Sequence, residues 1–432
     1  MYKRFGGAWF KFKVHSENVI VMFGKEARKI FFTEKSFSNH DGYGLLFPLA
    51  KYMPAEKHGK QQTNTFSWYL RLLKRTDFLE PCLRPITEEG AQEFGNLGPR
   101  GVFNPFVTIE QLMLRTSLRV HLGREIMEYQ PALARAMRAY RWIRAGDTPS
   151  SLLFPLFPTP TRIRRIVGAV QLYHVVSRIY THRKNATSPR TDLLQSLLDS
   201  DCKPDQAASL LIMTVFVDHT NTGIALCWFL TYLCQDRVWK AKAQAEIDAF
   251  VLAHKSDGLS LADALGSLSF ETWEKSLPTI DNCLQECLRL VANAAIIRRN
   301  MGEDVVIAGN TIHRGDYAIY MTADTHLNEN IFPNPQTFDP DRDFGKPSDG
   351  FFLAWGAGSH PCLGQRLGKV SIKVMTTLLL AEHDIEVVDS NGRVVEEVPK
   401  ARLSLFSIGF PEKDLILNTY VWCGLEKERR RK

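Results

Sequence analysis

A glycine-rich loop that carries a single cysteine constrains this chain more than any other segment. Residues 352–368 read F-L-A-W-G-A-G-S-H-P-C-L-G-Q-R-L-G, and a helical pattern follows them. Cys362 lies between Gly358 and Gly364, and glycines permit a tight turn that brings backbone amides close to the sulfur. A sulfur just ahead of a helix N-terminus is favoured as the thiolate, which is a soft ligand. Taken alone, the loop also fits an ordinary loop thiol.

Size, net charge and cysteine spacing limit the classes of protein to which this chain can belong. The chain has 432 residues, of which 44% are hydrophobic, and can therefore bury a large core. The net charge of +7 is spread along the whole length, so a nucleic-acid partner is not indicated. The cysteines include no C-x-x-C pair, and Cys227, Cys234, Cys283 and Cys287 fall on apolar helical stretches, where cysteine is usually a small buried hydrophobe. No disulfide framework is predicted.

A second pattern joins an acid and a base on one helix. Glu286-Cys287-Leu288-Arg289 places Glu286 and Arg289 three residues apart, on neighbouring positions of a helix face. The apolar residues between Ile280 and Leu288 recur at helical spacing, which predicts that this helix is packed on one side. The alternative is an exposed ion pair of little energetic consequence.

A long central helix is predicted to begin at Pro204, a favoured first residue, and to run to about Cys234. The polar run D-H-T-N-T at 218–222 separates two apolar halves, each too short to span a bilayer. A buried core helix is therefore favoured over a membrane span. Its central polar side chains need hydrogen-bond partners or a ligand cavity. The alternative is that they only form hydrogen bonds with the backbone of a helix bulge or of a neighbouring segment.

Together these motifs resemble the cytochrome P450 family. The family's cysteine-loop pattern of an aromatic residue, Gly, a basic residue, Cys and Gly is met by Trp355, Gly358, His360, Cys362 and Gly364. The resemblance implies a mainly α fold with a small β region, formed as one domain over 1–432. It also implies haem b (iron protoporphyrin IX) as cofactor, with Cys362 as the axial iron ligand whose electron density favours O–O cleavage. His360 stands where the family usually has Arg, a stronger partner for a haem propionate.

Further residues match the family in order along the chain. In the family an Arg from a downstream loop joins the E-x-x-R pair, and F-D-P-D-R-D-F at 338–344 supplies Arg342 in a matching place. The resemblance implies that Glu286, Arg289 and Arg342 form a buried network that holds the cysteine loop. It also implies that an Arg of the strand A-I-I-R-R-N binds a haem propionate, and the spacing leaves Arg298 and Arg299 both open.

The resemblance places oxygen-handling residues on the central helix. With Trp228 as anchor, Asn221 takes the position of the family's threonine, Thr220 that of its acid, and Thr222 follows. An alternative register makes His219 and Thr220 the pair. Asn-Thr in place of Thr-Thr is similar to the branch of sterol and bile-acid hydroxylases and prostacyclin synthase. An amide can hold water or peroxide by hydrogen bonds, but relays protons less readily than a hydroxyl.

The implied activity is that of a haem-dependent monooxygenase. It would hydroxylate or otherwise oxidise an apolar small molecule, such as a secondary metabolite, terpenoid or sterol, using O2 and electrons from NADPH delivered by a reductase. Two alternatives stay open. One is a haem-thiolate isomerase or dehydratase that rearranges a peroxide without external electrons, and the other is a haem-binding protein without turnover.

Partner and membrane contacts are predicted from surface patterns and the resemblance. Two sets of cations fall on helices that the family uses to dock an acidic reductase: Arg71, Lys74 and Arg75, and Arg366, Lys369 and Lys373. The Pro-punctuated apolar stretch between 147 and 160 fits a buried connector or a peripheral membrane contact.

The ends of the chain depart from the family pattern. The resemblance implies the endoplasmic reticulum membrane, although the N-terminus shows no transmembrane anchor and suggests a truncated or alternative start. Residues 412–432 form a tail unlike the family's usual ending.

Overall fold

A computed structural model describes most of the chain. The described residues are 9–14, 16–43, 72–98, 100–145, 159–186, 190, 192–200, 204–255, 258–346, 349–401, 408–412 and 415–421. Residues 147–158 of the predicted apolar stretch are therefore not among the described residues, and neither is Arg71.

Helices dominate the described residues, as expected from the sequence. They are α1 (Lys25–Thr33), α2 (Asn39–Tyr43), α3 (Thr76–Leu79), α4 (Leu83–Gly95), α5 (Pro105–Leu122), α6 (Glu125–Glu128), α7 (Gln130–Ala145), α8 (Pro160–Lys184), α9 (Leu193–Leu198), α10 (Pro204–Gln235), α11 (Arg237–His254), α12 (Leu261–Gly266), α13 (Phe270–Lys275), α14 (Pro278–Val291), α15 (Ala323–His326) and α16 (Gln365–Glu382), with a 3-10 turn at Glu80–Cys82. Local chemistry explains the starts of α5, α8, α10 and α14, because each begins with a proline, whose φ already suits a helix and whose missing N–H is not needed there. At α5, for example, the Asn104 side chain also accepts a hydrogen bond from the Phe106 N–H at 2.9 Å.

The strands form small sheets at the edges of the helical body. They are β1 (Phe10–Val14), β2 (Glu17–Met22), β3 (Phe37–Ser38), β4 (Arg100–Phe103), β5 (Ala295–Asn300), β6 (Val305–Ile307), β7 (Asn310–Ile312), β8 (Tyr317–Met321), β9 (Gly356–Ala357), β10 (His360–Pro361), β11 (His383–Val388) and β12 (Ile416–Val421). The largest sheet has the order β1-β2-β8-β5-β3, in which β2 and β8 run parallel and the other pairs antiparallel. The other sheets are β11-β12-β4, β6-β7 and β9-β10.

The central helix α10 organises the core. It packs against α5, α8, α11, α14 and α16. Among the described residues, α10 is the one helix that is long and apolar enough to cross a membrane. However, 61% of its most apolar 18-residue stretch is buried inside the protein. Trp228 on α10 is fully buried and donates its indole N–H to the Gly409 carbonyl at 2.8 Å. The prediction of a buried core helix that begins at Pro204 is confirmed.

Part of the chain's unusual tail is a strand. Ile416–Val421 forms β12, the middle strand of its sheet, between β11 and the distant β4. Leu417 and Thr419 are fully buried there. The sequence did not predict this strand, because its partners lie far away in the chain.

Candidate active site

The cysteine loop is a tight hairpin that only glycine can close. β9 and β10 pair antiparallel, and the Cys362 N–H donates to the Trp355 carbonyl at 2.6 Å. Gly358 has a φ of 58°, a left-handed conformation that residues with a side chain rarely adopt. A Cβ at Gly358 would also collide with the Phe32 carbonyl oxygen on α1. The Ser359 N–H donates to that same oxygen at 2.9 Å, so the loop is fastened to α1.

Cys362 differs from the other described cysteines in its exposure. It is exposed, whereas Cys82, Cys227, Cys234, Cys283 and Cys287 are buried, which confirms that those on α10 and α14 act as small hydrophobes. Surrounding protein raises the pKa of the Cys362 thiol by desolvation, and hydrogen bonds from backbone amides at the start of α16 oppose this shift. Among the described residues no group of three or more His, Cys, Asp and Glu side chains could hold a metal ion.

Gly364 leaves room beside this thiol. It caps α16 with a φ of −87°, which any residue can adopt. A Cβ at Gly364 would meet no other heavy atom within 4 Å. Neither backbone geometry nor packing within the chain therefore requires glycine here. A flat cofactor that approaches the sulfur closely would require it, which fits the haem that the resemblance implies.

The three charged residues predicted as a network are in direct contact. The Arg289 guanidinium donates to both carboxylate oxygens of Glu286 at 2.7 Å, and Arg342 Nε donates to Glu286 Oε1 at 3.2 Å. The side chains of Glu286 and Arg289 are fully buried, so the alternative of an exposed ion pair is wrong. A buried carboxylate with two bound guanidiniums is stable only because nearly all its hydrogen-bonding capacity is used.

The network fixes the loop that precedes the cysteine segment. Arg289 Nη1 donates to the carbonyls of Pro335 at 2.7 Å and His326 at 2.6 Å. Arg342 Nη1 donates to the Pro333 carbonyl at 2.6 Å. The Asp339 N–H donates to Glu286 Oε1 at 3.1 Å. Two guanidiniums thus hold an irregular segment by its backbone.

His326 is a site residue that the sequence did not indicate. Its Nε2 accepts the Leu353 N–H at 2.9 Å, and its ring stacks on Phe352 with a centroid distance of 5.9 Å. Burial and the positive charge of Arg289 lower the pKa of His326 to about 3, so the imidazole is neutral at physiological pH. His326 connects the charged network to the start of the cysteine loop.

The two candidate arginines of β5 point to opposite sides. Arg299 is partly exposed and donates to Glu17 at 3.1 Å and to the Gly315 carbonyl at 3.0 Å. Arg298 is buried, with its guanidinium over the rings of Phe31 and Phe32 at 4.6 and 5.2 Å. Phe31 and Phe32 both lie on α1, and the Phe32 carbonyl oxygen accepts the Ser359 N–H of the cysteine loop.

Arg298 is a buried cation whose described partners are neutral. It donates to the Asn39 amide oxygen at 3.0 Å and to the Phe31 carbonyl. Burial lowers its pKa to about 10. A buried guanidinium is stabilised most by an anion, and a haem propionate would supply one at this place.

The polar cluster of α10 divides between two faces of the helix. Asn221 is partly exposed and donates to the Val217 carbonyl at 2.9 Å, and Val217 itself is 49% exposed. Thr220 is buried, with its hydroxyl 3.3 Å from His219 Nε2. The Thr222 hydroxyl donates to Asp218 Oδ1 at 3.2 Å. Asn221 thus shares the open face of α10 with Val217, one turn away.

The predicted docking cations are mostly neutralised within the chain. Arg366 forms a two-pronged pair with Glu274, both contacts at 2.6 Å. Lys369 and Lys373 pair with Asp281 at 3.2 and 2.6 Å. Lys373 is also buried and donates to the Ser276 carbonyl at 2.7 Å. Its place on a docking face was predicted wrongly, because its position after the cysteine turns it towards α13.

Comparison with known proteins gives consistent matches over nearly the whole chain. A family model described as "Cytochrome P450" matches residues 1–407. "Cytochrome P450 monooxygenase AacuE" of Aspergillus aculeatus is 28% identical over 404 residues, 89% of this chain and 80% of that protein. "Cytochrome P450 monooxygenase dmxR5" of Cryptosporiopsis sp. is 27% identical, with 88% and 77% covered. A solved structure titled "Retinoic acid bound cyanobacterial CYP120A1" superposes with a TM-score of 0.76 at 18% identity, over 98% of this chain and 93% of that one.

Proposed function

This chain belongs to the cytochrome P450 family and is a haem-thiolate monooxygenase, and we propose that it hydroxylates an apolar small molecule with electrons that a reductase takes from NADPH. The observation that carries the proposal is the exposed Cys362 thiol at the start of α16, beside Gly364, which leaves room for a cofactor. Haem bound there supplies oxygen activation, which the thiolate supports by donating electron density.

Arg298 is proposed as the partner of a haem propionate, in preference to Arg299. The support is that Arg298 is a buried cation with neutral described partners, whereas Arg299 pairs with Glu17. Replacing Arg298 by Met should weaken haem binding, because a propionate would lose its buried cation. The Asn39 and Phe31 acceptors also lose their donor, so the stability of the apoprotein is measured beside haem affinity. Arg299→Met is the matched control and should leave haem affinity nearly unchanged. Equal haem affinity of both variants would contradict the assignment.

The buried network of Glu286, Arg289 and Arg342 is proposed as the scaffold of the haem pocket. Its contacts with backbone carbonyls, and the link through His326 to Leu353, support this role. These side chains hold the cysteine loop at a fixed distance from α10 and take no part in the chemistry.

Asn221, with Thr220 and Thr222 beside it, is proposed to handle oxygen on α10. The support is that Asn221 lies on the exposed face of the middle of this helix. Its amide can hold an oxygen molecule or a water by hydrogen bonds. Trp355, Gly358 and His360 are proposed to shape the cysteine loop.

The proposed substrate is an apolar molecule of the secondary-metabolite, terpenoid or sterol kind. Two observations support this. The matched proteins include a "Sterol 14alpha-demethylase" of Mycolicibacterium vanbaalenii, 24% identical with 87% of this chain covered. The superposed structure is titled as bound to retinoic acid. Both printed names refer to largely hydrocarbon compounds.

Association with the endoplasmic reticulum membrane is also proposed, as a peripheral contact. Its support is one face of α8, where Ile163, Ile166, Val167 and Val170 are all exposed. Apolar side chains in such a row can enter the headgroup region of a bilayer. Binding to phosphatidylcholine–phosphatidylserine vesicles should therefore weaken in Ile166→Glu, and unchanged binding would contradict this part of the proposal.

The difference spectrum of the reduced, CO-treated protein tests the proposed function first. We expect a Soret band strongly red-shifted from that of histidine-ligated haem, lost in Cys362→Ala and kept in Cys234→Ala, the buried control. Hydroxylated product from a panel of sterols and terpenoids should then require both NADPH and a reductase. Turnover of a hydroperoxide without either would favour a rearranging enzyme, and a spectrum indifferent to Cys362 would overturn the proposal.

A further inference from the structure

Cys362 depends on the first turn of α16 for the hydrogen bonds that reach its sulfur. Desolvation raises the pKa of the thiol, and hydrogen bonds from the backbone N–H groups of Gly364 and Gln365 oppose this shift. The ends of a helix fray unless groups outside the helix hold them. Hydrogen bonds to a metal ligand also tune the electronic properties of the metal. A side chain that fixes the first turn of α16 therefore acts on the proposed iron ligand.

Arg366 connects this first turn to two other segments of the chain. Its Nε and Nη2 donate to the two carboxylate oxygens of Glu274 on α13, both at 2.6 Å. Nη2 also donates to the Thr76 hydroxyl at 2.9 Å, and Nη1 donates to the Lys74 carbonyl. The guanidinium lies over the Phe270 ring at 5.4 Å. Arg366 and its three hydrogen-bond acceptors are called the Arg366 clamp below.

The helix that carries Glu274 is itself held at both ends. At the start of α13, the Phe270 N–H donates to Glu80 Oε2 at 3.0 Å. At its end, the buried Lys373 of α16 donates to the Ser276 carbonyl at 2.7 Å and to the Glu274 carbonyl at 3.2 Å. Because α13 is fixed in this way, it can serve as a rigid support for the first turn of α16.

The contacts of Arg366 favour an internal role over docking of an acidic protein. A planar guanidinium that binds a carboxylate with two parallel hydrogen bonds is fixed in direction as well as in distance. Glu274 already occupies Arg366 in this way, and the two side chains are only 30% and 28% exposed. A cation kept for an acidic partner would gain from having no carboxylate of its own chain beside it.

We propose that Arg366 is a positioning residue for the Cys362 ligand. The Arg366 clamp holds the first turn of α16 so that the N–H groups of Gly364 and Gln365 stay directed at the sulfur. Arg366 acts through the backbone of α16 and takes no part in the chemistry itself. The inference rests on the proposed function, because it takes Cys362 as the axial ligand of the haem iron.

The reduction potential and the iron–sulfur stretching frequency of the haem-loaded protein test the clamp without a known substrate. Weaker hydrogen bonds to the sulfur leave more electron density on the thiolate, which strengthens its bond to iron and favours the ferric state. In Arg366→Gln we therefore expect a more negative potential and a higher stretching frequency in the resonance Raman spectrum. Haem affinity should fall about tenfold, as is usual when a contact that orients a metal ligand is lost. Lys275→Gln breaks an exposed pair with Glu271 on α13 and is the control, which should match the wild type.

Glu274→Gln separates the clamp from a docking role, because it removes the carboxylate and leaves Arg366 in place. If the clamp positions the ligand, Glu274→Gln should shift the potential and the stretching frequency in the same direction as Arg366→Gln. The double variant should then add little to either single variant. A docking role predicts the opposite, since the freed guanidinium would lower the KM for the reductase and leave the potential unchanged. Arg366→Lys keeps the charge without the planar fork and should fall between the wild type and Arg366→Gln.

The outcomes distinguish a failure of the clamp from a failure of the proposed function. A wild-type potential and stretching frequency in Arg366→Gln, with the thiolate spectrum intact, would overturn the clamp alone. A lower KM for the reductase in Glu274→Gln without any spectroscopic change would do the same. If Arg366→Gln binds no haem, Glu274→Gln and Arg366→Lys supply the same two measurements. Absence of the thiolate spectrum in the wild type would overturn the proposed function instead.

Discussion

His326 accepts the backbone N–H of Leu353 through Nε2 at 2.9 Å, while its own carbonyl accepts Arg289 Nη1 at 2.6 Å. One residue thus joins a charged cluster on α14 to the segment that leads into the cysteine loop. Since the imidazole is neutral at physiological pH, its Nε2 lone pair is available to this amide.

Replacing His326 by Phe should loosen this connection. The aromatic ring can still stack on Phe352, but the Leu353 N–H loses its acceptor in a buried place. We expect the free energy of unfolding to fall by about 2 kcal/mol, the cost of a buried unpaired donor, and haem to dissociate faster. Urea unfolding and haem transfer to apomyoglobin measure the two effects. His313→Phe, at an exposed histidine, is the control, and equal effects of both substitutions would contradict the prediction.

Acid should destabilise the protein through its buried histidines. Burial lowers the pKa of His219 to about 4, and burial with Arg289 lowers that of His326 to about 3. In the unfolded chain both rings titrate near the ordinary value of 6.5. Between these pH limits the unfolded state binds more protons than the folded state. The contribution of these two histidines to the free energy of unfolding is therefore fully present above about pH 6.5 and is lost as the pH falls towards 3.

Unfolding free energies measured between pH 7.5 and pH 4.5 check this dependence. The decline should be shallower in His326→Phe, which no longer has the titrating ring. The same slope in that variant and in the wild type would show that His326 is not held neutral.

Glu286→Gln should be the most damaging conservative substitution in this region. It keeps the shape of the side chain but leaves Arg289 and Arg342 without their shared anion in a buried place. Loss of one partner of a buried ion pair costs about 3–5 kcal/mol, so the variant should unfold at much lower urea and load little haem. Glu271→Gln breaks the exposed pair with Lys275 and should change little. A Glu286→Gln protein as stable as this control would contradict the role of the network.

The features that could be predicted from the sequence depend on local patterns of residues. The cysteine hairpin, the E-x-x-R pair and the helix that starts at Pro204 each depend on residues within a few positions of one another. The contact of Arg342 with Glu286 crosses 56 residues and was expected only from the family's order of motifs. Family resemblance therefore supplied long-range information that periodicity does not contain.

The residues that sequence reasoning missed depend on contacts between distant segments. His326 is a single histidine on a short helix, and Leu353 lies 27 positions further on. The polar run at 218–222 was predicted, but the hydrogen bond that Asp218 accepts from Ser117, 101 positions away, was not. The choice between Arg298 and Arg299 depends on which face of β5 packs against α1, and alternation along one strand cannot tell which face that is.

Two glycines of the cysteine loop should respond oppositely to alanine. At Gly358 the new Cβ would collide with the Phe32 carbonyl in a left-handed backbone conformation, so Gly358→Ala should destabilise the apoprotein itself. At Gly364 the Cβ meets nothing within 4 Å and φ is ordinary, so Gly364→Ala should leave apoprotein unfolding unchanged or slightly improved. If the open space beside Cys362 accommodates the haem, Gly364→Ala should nevertheless weaken haem binding. Measuring apoprotein melting and haem titration on both variants separates the two roles, and normal haem affinity in Gly364→Ala would place the cofactor elsewhere.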